Sequence, residues 1–329
     1  MTELIAEVGL AHDGSLGIAH SYIDLAKSLD IDTIKFQMHD PKYESSKNEQ
    51  FRINFSYEDN SRYEYWERTS FSMESWAKLI DHAKEKNINF LITPFSLKAL
   101  DNISKLGLKR VKLGSAEVVD KLILNKALDY GFDMVISNGF CDNSIFEIVK
   151  HIKSKIDNLS VLECTSKYPS SSEDFNNKRY LSLLNERNRI GVGVSDHSGE
   201  TSIAKYSIAT GADILEAHIV FDKRLFGPDS KSSLEPPQWK EIVKFKKDIL
   251  NIKSEKYSLI SQSMKKTFSR SLAYANDIDI NEELKLSHLE SIKSNGMGES
   301  SDDYESFIGK KLYQKVKAGQ LLEKKHFNK

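Results

Sequence analysis

Short apolar runs alternate with longer amphipathic stretches through most of this chain. The runs are rich in Ile, Val and Leu and are bounded by polar residues, which is typical of buried strands in a parallel sheet. The predicted strands are Leu4–Gly9, Thr33–Met38, Asn89–Thr93, Arg110–Leu113, Asp133–Ser137, Leu159–Cys164, Arg189–Ser195 and Asp213–Val220.

The stretches between these strands have the spacing of apolar residues that predicts helices. They are Leu16–Asp30, Ser75–Lys86, Leu97–Leu106, Lys121–Tyr130, Asn143–Lys155, Lys178–Asn185 and Thr201–Thr210, with a last helix over Pro237–Ile252. Eight β/α units within about 250 residues is the count of a closed (β/α)₈ TIM barrel. An open doubly wound sheet stays possible, because periodicity does not report closure.

One connection is too long for an ordinary βα loop. Residues Asp40–Phe71 are polar and aromatic, and they follow the second predicted strand. The segment either packs its Tyr and Trp side chains on the barrel wall or forms a lid or specificity loop, since it leaves from the rim where barrel sites lie.

The pattern changes after Asn251, where a stretch rich in Lys and Ser begins. We predict a barrel domain over residues 1–252, a linker over 253–267 and a small β-rich domain over 268–329. The last segment has about 60 residues, which is marginal for an independent core, so we expect it to dock on another surface.

Charge and composition narrow the classes of function. The chain has 329 residues, 47 basic against 48 acidic, and a sequence pI near 6.8, so no global field favours nucleic acid or a membrane surface. No apolar run reaches the ~18–20 residues of a bilayer span. Leu4 begins a strand almost at the first residue, leaving no room for a signal peptide, and two cysteines do not make a disulfide framework. We expect a cytoplasmic protein.

Two histidines stand at the ends of neighbouring predicted strands. His197 follows GVGVSD and His218 follows DILEA, with Asp196 and Glu216 beside them. Parallel strands joined by one helix bring such residues to the same rim, and imidazoles with acids nearby suit a divalent metal. A single histidine at a strand end is more often structural; the pair favours a metal site.

Polar side chains recur at the same end of nearly every other strand. They are Glu7, Lys35, Gln37, Thr93, Ser96, Lys112, Ser115, Glu117, Ser137, Asn138, Thr165, Tyr168 and Ser195. Two lysines among hydroxyls predict a site for phosphate or carboxylate. The alternatives are lysine–glutamate pairs inside the barrel, helix caps and ordinary turn chemistry.

These residues lie in motifs that resemble one family throughout the chain. IAEVGLAHDGSLGIA, IKFQMH, LITPFS, VKLGSAE, ISNG, CTSKYP, VGVSDHS, LEAHIVFDK and GPDSKSSLEP occur in the order found in the sialic acid synthase (N-acetylneuraminate synthase) family. The tail from Arg270 resembles that family's C-terminal antifreeze-like (SAF) domain.

The resemblance implies an enzyme that condenses phosphoenolpyruvate with an N-acylmannosamine-like aldose to a nine-carbon 2-keto-3-deoxy sugar acid. It also implies a domain-swapped homodimer. It further implies a divalent metal bound by His197 and His218, with Mn²⁺ as the first expectation and Mg²⁺ or Co²⁺ as alternatives. We predict catalytic roles for Glu7, Gln37, Lys112 and Glu117. The predicted substrate-binding residues are Lys35, Thr93, Ser96, Ser115, Ser137, Asn138, Tyr168, Ser195, Glu216 and Asp229.

Three residues differ from the family pattern, and all three lie where the family binds the sugar rather than phosphoenolpyruvate or the metal. Ser294, beside Lys293, stands at or near the arginine of the family's Arg-Pro-Gly loop, Ser166 replaces a frequent Asn, and Ser230 replaces a frequent His. The aldose therefore stays open, and legionaminate-like products, pseudaminate-like products and products that lack an N-acyl group are included. A Schiff-base aldolase or lyase using Lys112 and a non-catalytic carbohydrate-binding protein remain as alternatives.

Overall fold

The structure is a computed structural model that describes residues 2–142, 144–253 and 261–328. The chain divides into two compact units, Met1–Lys253 and Ser254–Lys329. Among the described residues, each helix is too short or too polar to cross a bilayer.

The first unit is a closed barrel of parallel strands. The strands are β1 Glu3–Gly9, β2 Thr33–Met38, β3 Asn89–Pro94, β4 Arg110–Leu113, β5 Asp133–Ser137, β6 Leu159–Cys164, β7 Gly191–Asp196 and β8 Ile214–Ile219. Each pairs in parallel with the next, and β1 also pairs with β8, which closes the ring. The predicted TIM barrel is confirmed, and the open sheet is wrong. A two-residue strand, β9 Ser233–Leu234, pairs with β8 and was too short to predict.

Helices surround this barrel in the predicted alternation. They are α1 Leu16–Ser28, α2 Pro41–Glu44, α3 Arg62–Thr69, α4 Met73–Glu85, α5 Leu97–Lys105, α6 Ser115–Val119, α7 Lys121–Asp129, α8 Ile145–Lys153, α9 Asn177–Leu184, α10 Thr201–Thr210 and α11 Pro236–Lys253. Asn143, the predicted start of one helix, lies outside the described residues. The sequence did not predict α2, α3 and the five-residue α6.

The inside of the barrel is divided into an apolar and a polar level. The apolar level is a separate buried cluster of Ile5, Leu91, Val135, Leu162 and Ile214. Side chains alternate along a strand, so the residue two positions further on points to the same face. These positions carry polar groups on four of the five strands, at Glu7, Thr93, Ser137 and Glu216. The interior is therefore apolar below and polar toward the carboxyl ends of the strands.

The second unit has a small core of its own. Strand β10 Arg270–Tyr274 pairs antiparallel with β11 Leu289–Lys293, and helix α12 Gln262–Phe268 precedes them. The core consists of Leu272, Tyr274, Ile278, Leu284, Phe307, Leu312, Val316, Leu322 and Phe327. Of the predicted linker, residues 254–260 lie outside the described ones, and α12 covers most of the rest. Beyond β11, the described part of the predicted β-rich domain over 268–329 pairs only through isolated bridges such as Val316–Ile278.

Candidate active site

A cavity of about 500 Å³ opens at the carboxyl ends of the barrel strands. Its wall includes fourteen of the sixteen predicted site residues, because the parallel strands of a barrel end on one face. These are Glu7, Lys35, Gln37, Thr93, Lys112, Ser115, Glu117, Ser137, Tyr168, Ser195, His197, Glu216, His218 and Asp229.

The deep part of the cavity is a buried network of two lysines and two carboxylates. Lys35 forms an ion pair with Glu7 and donates a hydrogen bond to Thr93 Oγ1 at 3.1 Å. Lys112 Nζ lies 3.1 Å from Glu216 Oε1, and Lys35 Nζ lies 3.6 Å from Glu216 Oε2. Ser195 Oγ donates to Glu216 Oε1 at 3.0 Å. The alternative of lysine–glutamate pairs is thus realised, and the pairs lie in the cavity.

The two carboxylates differ in proton affinity. Burial raises the pKa of Glu216, but Lys112 and Lys35 outweigh it and bring the pKa to about 2. Burial also raises the pKa of Glu7; Lys35 opposes this only in part, and the pKa of Glu7 stays raised. Glu7 Oε1 is buried and has no hydrogen-bond partner among the described residues. Two acids with opposite shifts are the pattern of a fixed anion beside a proton donor.

The histidine pair lies beside this network. His197 and His218 are buried, and their ring centroids are 5.6 Å apart. His197 Nδ1 lies 3.0 Å from the carbonyl oxygen of Thr165, to which it donates, so Nε2 is the nitrogen left for a ligand. Tyr168 stacks on His197 with a centroid distance of 4.1 Å. The prediction that neighbouring strands bring both imidazoles together is confirmed by the pairing of β7 with β8.

The residues present fit a divalent metal as two ligands of a larger set. Burial lowers the pKa of His218 to about 4, which keeps its imidazole neutral and able to ligate. Burial also lowers the pKa of His197, but Cys164, the Thr165 carbonyl and Glu216 outweigh it and raise the pKa; a metal ion would have to displace that proton. The described residues contain no group of three His, Cys, Asp or Glu side chains that could hold a metal.

Hydroxyl and acid groups fill the opposite wall. Ser137 Oγ is buried without a hydrogen-bond partner in the described part of the chain. Ser115 Oγ accepts a hydrogen bond from Gly139 N at 2.9 Å. Glu117 lies in the first turn of α6, and burial raises its pKa. An unpartnered buried hydroxyl costs free energy, so Ser137 is a position where a bound oxygen would be stabilising.

Two predicted substrate-binding residues do not line the cavity. Asn138 is fully buried; its Nδ2 donates to Glu163 Oε2 at 2.9 Å, and its Oδ1 accepts from Cys164 N at 3.0 Å. Ser96 is the N-cap of α5, and its Oγ accepts from Ala99 N at 3.1 Å. Both side chains are occupied within the protein.

Replacement of Ser96 distinguishes its role as the cap of α5 from the predicted role in substrate binding. We expect Ser96→Ala to lower the free energy of unfolding by about 1 kcal/mol, because α5 loses its cap. The KM for phosphoenolpyruvate should stay at the wild-type value. Denaturant unfolding and steady-state kinetics measure the two effects. A raised KM with unchanged stability would restore Ser96 as a substrate contact.

The long segment after β2 forms much of the cavity wall. It contributes Glu44, Phe51, Arg52, Ile53, Phe55, Arg62, Tyr65 and Trp66. Tyr65 is buried, whereas Arg52 and Arg62 are partly exposed. Both expectations for Asp40–Phe71 are thus met in part, since the segment packs on the barrel and also lines the site. The position of the segment after a strand end predicted that it lies at the site, whereas its individual residues did not indicate this.

A buried histidine, His39, stands between strand β2 and this segment. The ring of His39 lies between Trp66 and Phe95, with centroid distances of 4.8 and 4.3 Å and nearly parallel planes. His39 Nδ1 donates to Glu44 Oε1 at 2.6 Å, and Nε2 lies 3.1 Å from Gln37 Oε1. These contacts hold the side chain of Gln37 in place on the cavity wall.

Comparison with known proteins identifies the chain's family. The sequence profile of the NeuB family matches residues 22–257. The chain belongs to the NeuB family.

An N,N'-diacetyllegionaminic acid synthase of Campylobacter jejuni is 30% identical over 98% of both chains. A pseudaminic acid synthase of Helicobacter pylori is 26% identical over 97% of this chain and 96% of its own. The crystal structure of an N-acetylneuraminic acid (sialic acid) synthetase from Leptospira borgpetersenii superposes with a TM-score of 0.67 at 27% identity, covering 80% of this chain and 89% of that one.

Membership of the NeuB family confirms the predicted resemblance. It also confirms the predicted class of enzyme, a nonulosonic acid synthase. The roles of individual residues, the identity of the metal, the antifreeze-like character of the tail and the dimer stay predictions.

Proposed function

We propose that this NeuB-family enzyme joins phosphoenolpyruvate to the open-chain aldehyde of an N-acylmannosamine-like aldose, giving a nine-carbon 2-keto-3-deoxy sugar acid and phosphate. The observation that carries the proposal is one cavity holding Lys35 and Lys112 beside His197 and His218. Buried ammonium groups suit an anionic substrate, and an imidazole pair suits a metal.

Phosphoenolpyruvate would occupy the deep end of the cavity. With Glu7 protonated, Lys35 and Lys112 outnumber the remaining carboxylate, Glu216, and would attract the phosphate and carboxylate of phosphoenolpyruvate. The hydroxyls of Thr93, Ser115 and Ser137 would donate to the oxygens of this substrate, and Ser195 would exchange its hydrogen bond to Glu216 for one to the substrate. The unpartnered Ser137 Oγ supports this placement. Glu216, with its low pKa, would hold both lysines in place.

A divalent metal, with Mn²⁺ as our first expectation, would be held by His197 and His218 and would supply a Lewis acid for the aldehyde oxygen. The aldose would lie next to it, toward the mouth. Gln37, Tyr168 and Asp229 line this part of the cavity and would bind the sugar hydroxyls. Burial raises the pKa of Tyr168 well above its ordinary range, so its hydroxyl stays a donor.

The chemistry follows from these positions. Carbon 3 of phosphoenolpyruvate forms a bond to the aldehyde carbon, and Glu7 gives its proton to the aldehyde oxygen. Water adds at carbon 2, where Glu117 accepts the proton. The bond from carbon 2 to the phosphate oxygen then breaks, the new hydroxyl group on carbon 2 passes its proton to the departing phosphate, and the keto group remains. Lys35 and Lys112 stabilise the departing phosphate.

The proposal is tested by phosphate release from the purified protein. We expect release only when phosphoenolpyruvate, an aldose and a divalent metal are all present, and loss on chelation with recovery on addition of Mn²⁺. A panel of aldoses with and without N-acyl groups and 6-phosphate identifies the substrate. Release that is unaffected by chelation would contradict the role of the metal. Borohydride trapping of a pyruvate adduct on Lys112 would favour the Schiff-base alternative.

Three further predictions belong to this proposal. The second unit, with its small separate core, would be the antifreeze-like domain. The enzyme would be a homodimer with exchanged tails, which light scattering can test. The cytoplasm would be its location, in keeping with two cysteines that are both free and buried.

A further inference from the structure

One arginine of the long segment reaches across the mouth of the cavity. The guanidinium carbon of Arg52 lies 4.1 Å from the ring centroid of Tyr168. Tyr168 in turn stacks on His197. Arg52, Tyr168 and His197 therefore form one column from the mouth to the histidine pair, built from three separate parts of the barrel rim.

Hydrogen bonds hold the guanidinium in this place. Arg52 Nη2 donates to Asp229 Oδ1 at 2.6 Å and lies 3.4 Å from the carbonyl oxygen of Pro228. Asp229 follows β8, whereas Arg52 follows β2, so this ion pair closes one side of the mouth. An arginine that is stacked on an aromatic ring and paired at one edge loses little further freedom when it binds a ligand.

Two of the three nitrogens of the guanidinium are available to a substrate. Arg52 Nε and Nη1 have no hydrogen-bond partner among the described residues, and 39% of the side chain is exposed. Arg62 is exposed to the same extent, but it stacks on Trp66 and pairs with Glu49 within the segment. Arg52 is thus the arginine of this segment that joins the sugar-binding residues proposed above.

Local charge decides which kind of group Arg52 would bind. The carboxylate of Asp229 lies 2.6 Å from Arg52 Nη2 and already neutralises the guanidinium. A phosphate dianion needs excess positive charge, which this pair does not supply. A neutral carbonyl oxygen, which only accepts hydrogen bonds, needs only a fixed N–H donor, whereas a sugar hydroxyl would also need an acceptor, which a guanidinium lacks.

We propose that Arg52 determines specificity for the aldose by donating a hydrogen bond to the carbonyl oxygen of its N-acyl group. This inference rests on the proposed function, and it assigns substrate selection to the chain's own β2 segment.

The test compares Arg52→Ala and Arg52→Lys with wild type in the phosphate-release assay. Arg52→Ala should raise the KM for an N-acylated aldose by about 10- to 100-fold, because a charge-assisted hydrogen bond is lost. The KM for phosphoenolpyruvate should not change. The KM for the same aldose lacking the acyl group should rise much less, since that aldose loses only the support that Arg52 gives to Asp229 and Tyr168. Arg52→Lys should behave like Arg52→Ala, since lysine keeps the charge but loses the planar fork. Thermal unfolding checks that each variant is folded.

Lys42→Ala is the matched control. Lys42 lies in the same segment with its Nζ 5.4 Å from the Tyr43 ring centroid, and it is not part of the cavity wall. Its kinetics should match those of wild type. Equal losses for the acylated and non-acylated aldoses, or a loss confined to a 6-phosphorylated aldose, would overturn the inference. If wild type releases no phosphate with any aldose, it is the proposed function that fails.

Discussion

Replacing Lys112 by alanine is expected to lower the rate of phosphate release by about 10³-fold, the cost of removing a main electrostatic stabiliser of a transition state. Lys112 is buried, and its ammonium group lies 3.1 Å from Glu216. Its loss removes one of the two cations that would hold the departing phosphate. It also leaves Glu216 with Lys35 as its remaining cation among the described residues, so the pKa of Glu216 should rise from about 2.

Lys246→Ala provides the matched control for this variant. Lys246 is also buried and paired with a carboxylate, Asp32, at 2.7 Å, but it lies on α11 outside the cavity. We expect Lys246→Ala to lose stability and to keep its rate per folded molecule. A Lys112→Ala enzyme that releases phosphate at the wild-type rate would contradict the assignment of the deep cavity to phosphoenolpyruvate.

Replacing Glu7 by glutamine is expected to lower kcat by about 10²- to 10⁴-fold, the contribution of a general acid. The raised pKa of Glu7 predicts the direction in which the rate changes with pH. A proton donor is active while protonated, so the Glu7-dependent rate is present below this pKa and falls as the pH rises through it. Glu7→Gln should therefore lose the alkaline limb that wild type shows.

Stability should change with pH in the same direction. A carboxyl whose pKa is raised on folding binds its proton more tightly in the native state, so its contribution to stability falls as the pH rises through the folded pKa. The stability of Glu7→Gln should not change over that pH range. Glu3→Gln is the control, because Glu3 lies on the same strand but pairs with Arg110 at the opposite end of the barrel, at 2.7 Å. Persistence of the alkaline limb in Glu7→Gln would assign the proton to another group.

The strands were predictable because burial on both faces makes them continuous apolar runs. β2, β4, β5 and β6 begin and end where the pattern placed them, at Thr33 and Met38 in the case of β2. The short helices α2 and α3 were not predicted, since the polar and aromatic residues of Asp40–Phe71 carry no apolar periodicity. The packing of this segment depends on tertiary contacts.

The site was predictable to the extent that a parallel barrel gathers its strand ends. That rule places Glu7, Lys35 and His218 on one face without knowledge of any distance. It fails at Ser96 and Asn138, where the same polar signal reports a helix cap and an internal hydrogen-bond network. Nor does sequence spacing connect Arg52 with Asp229, because their contact depends on the path of the long segment.

The apolar level beneath the polar residues closes the cavity at its lower end. Ile5, Leu91, Val135, Leu162 and Ile214 close the barrel below Glu7 and Glu216, so ligands exchange with solvent through the mouth beside Arg52. A molecule seated on the lysines would then be trapped beneath one seated on the histidines. Reactants would arrive in a compulsory sequence, phosphoenolpyruvate before the aldose, and phosphate would leave after the sugar acid.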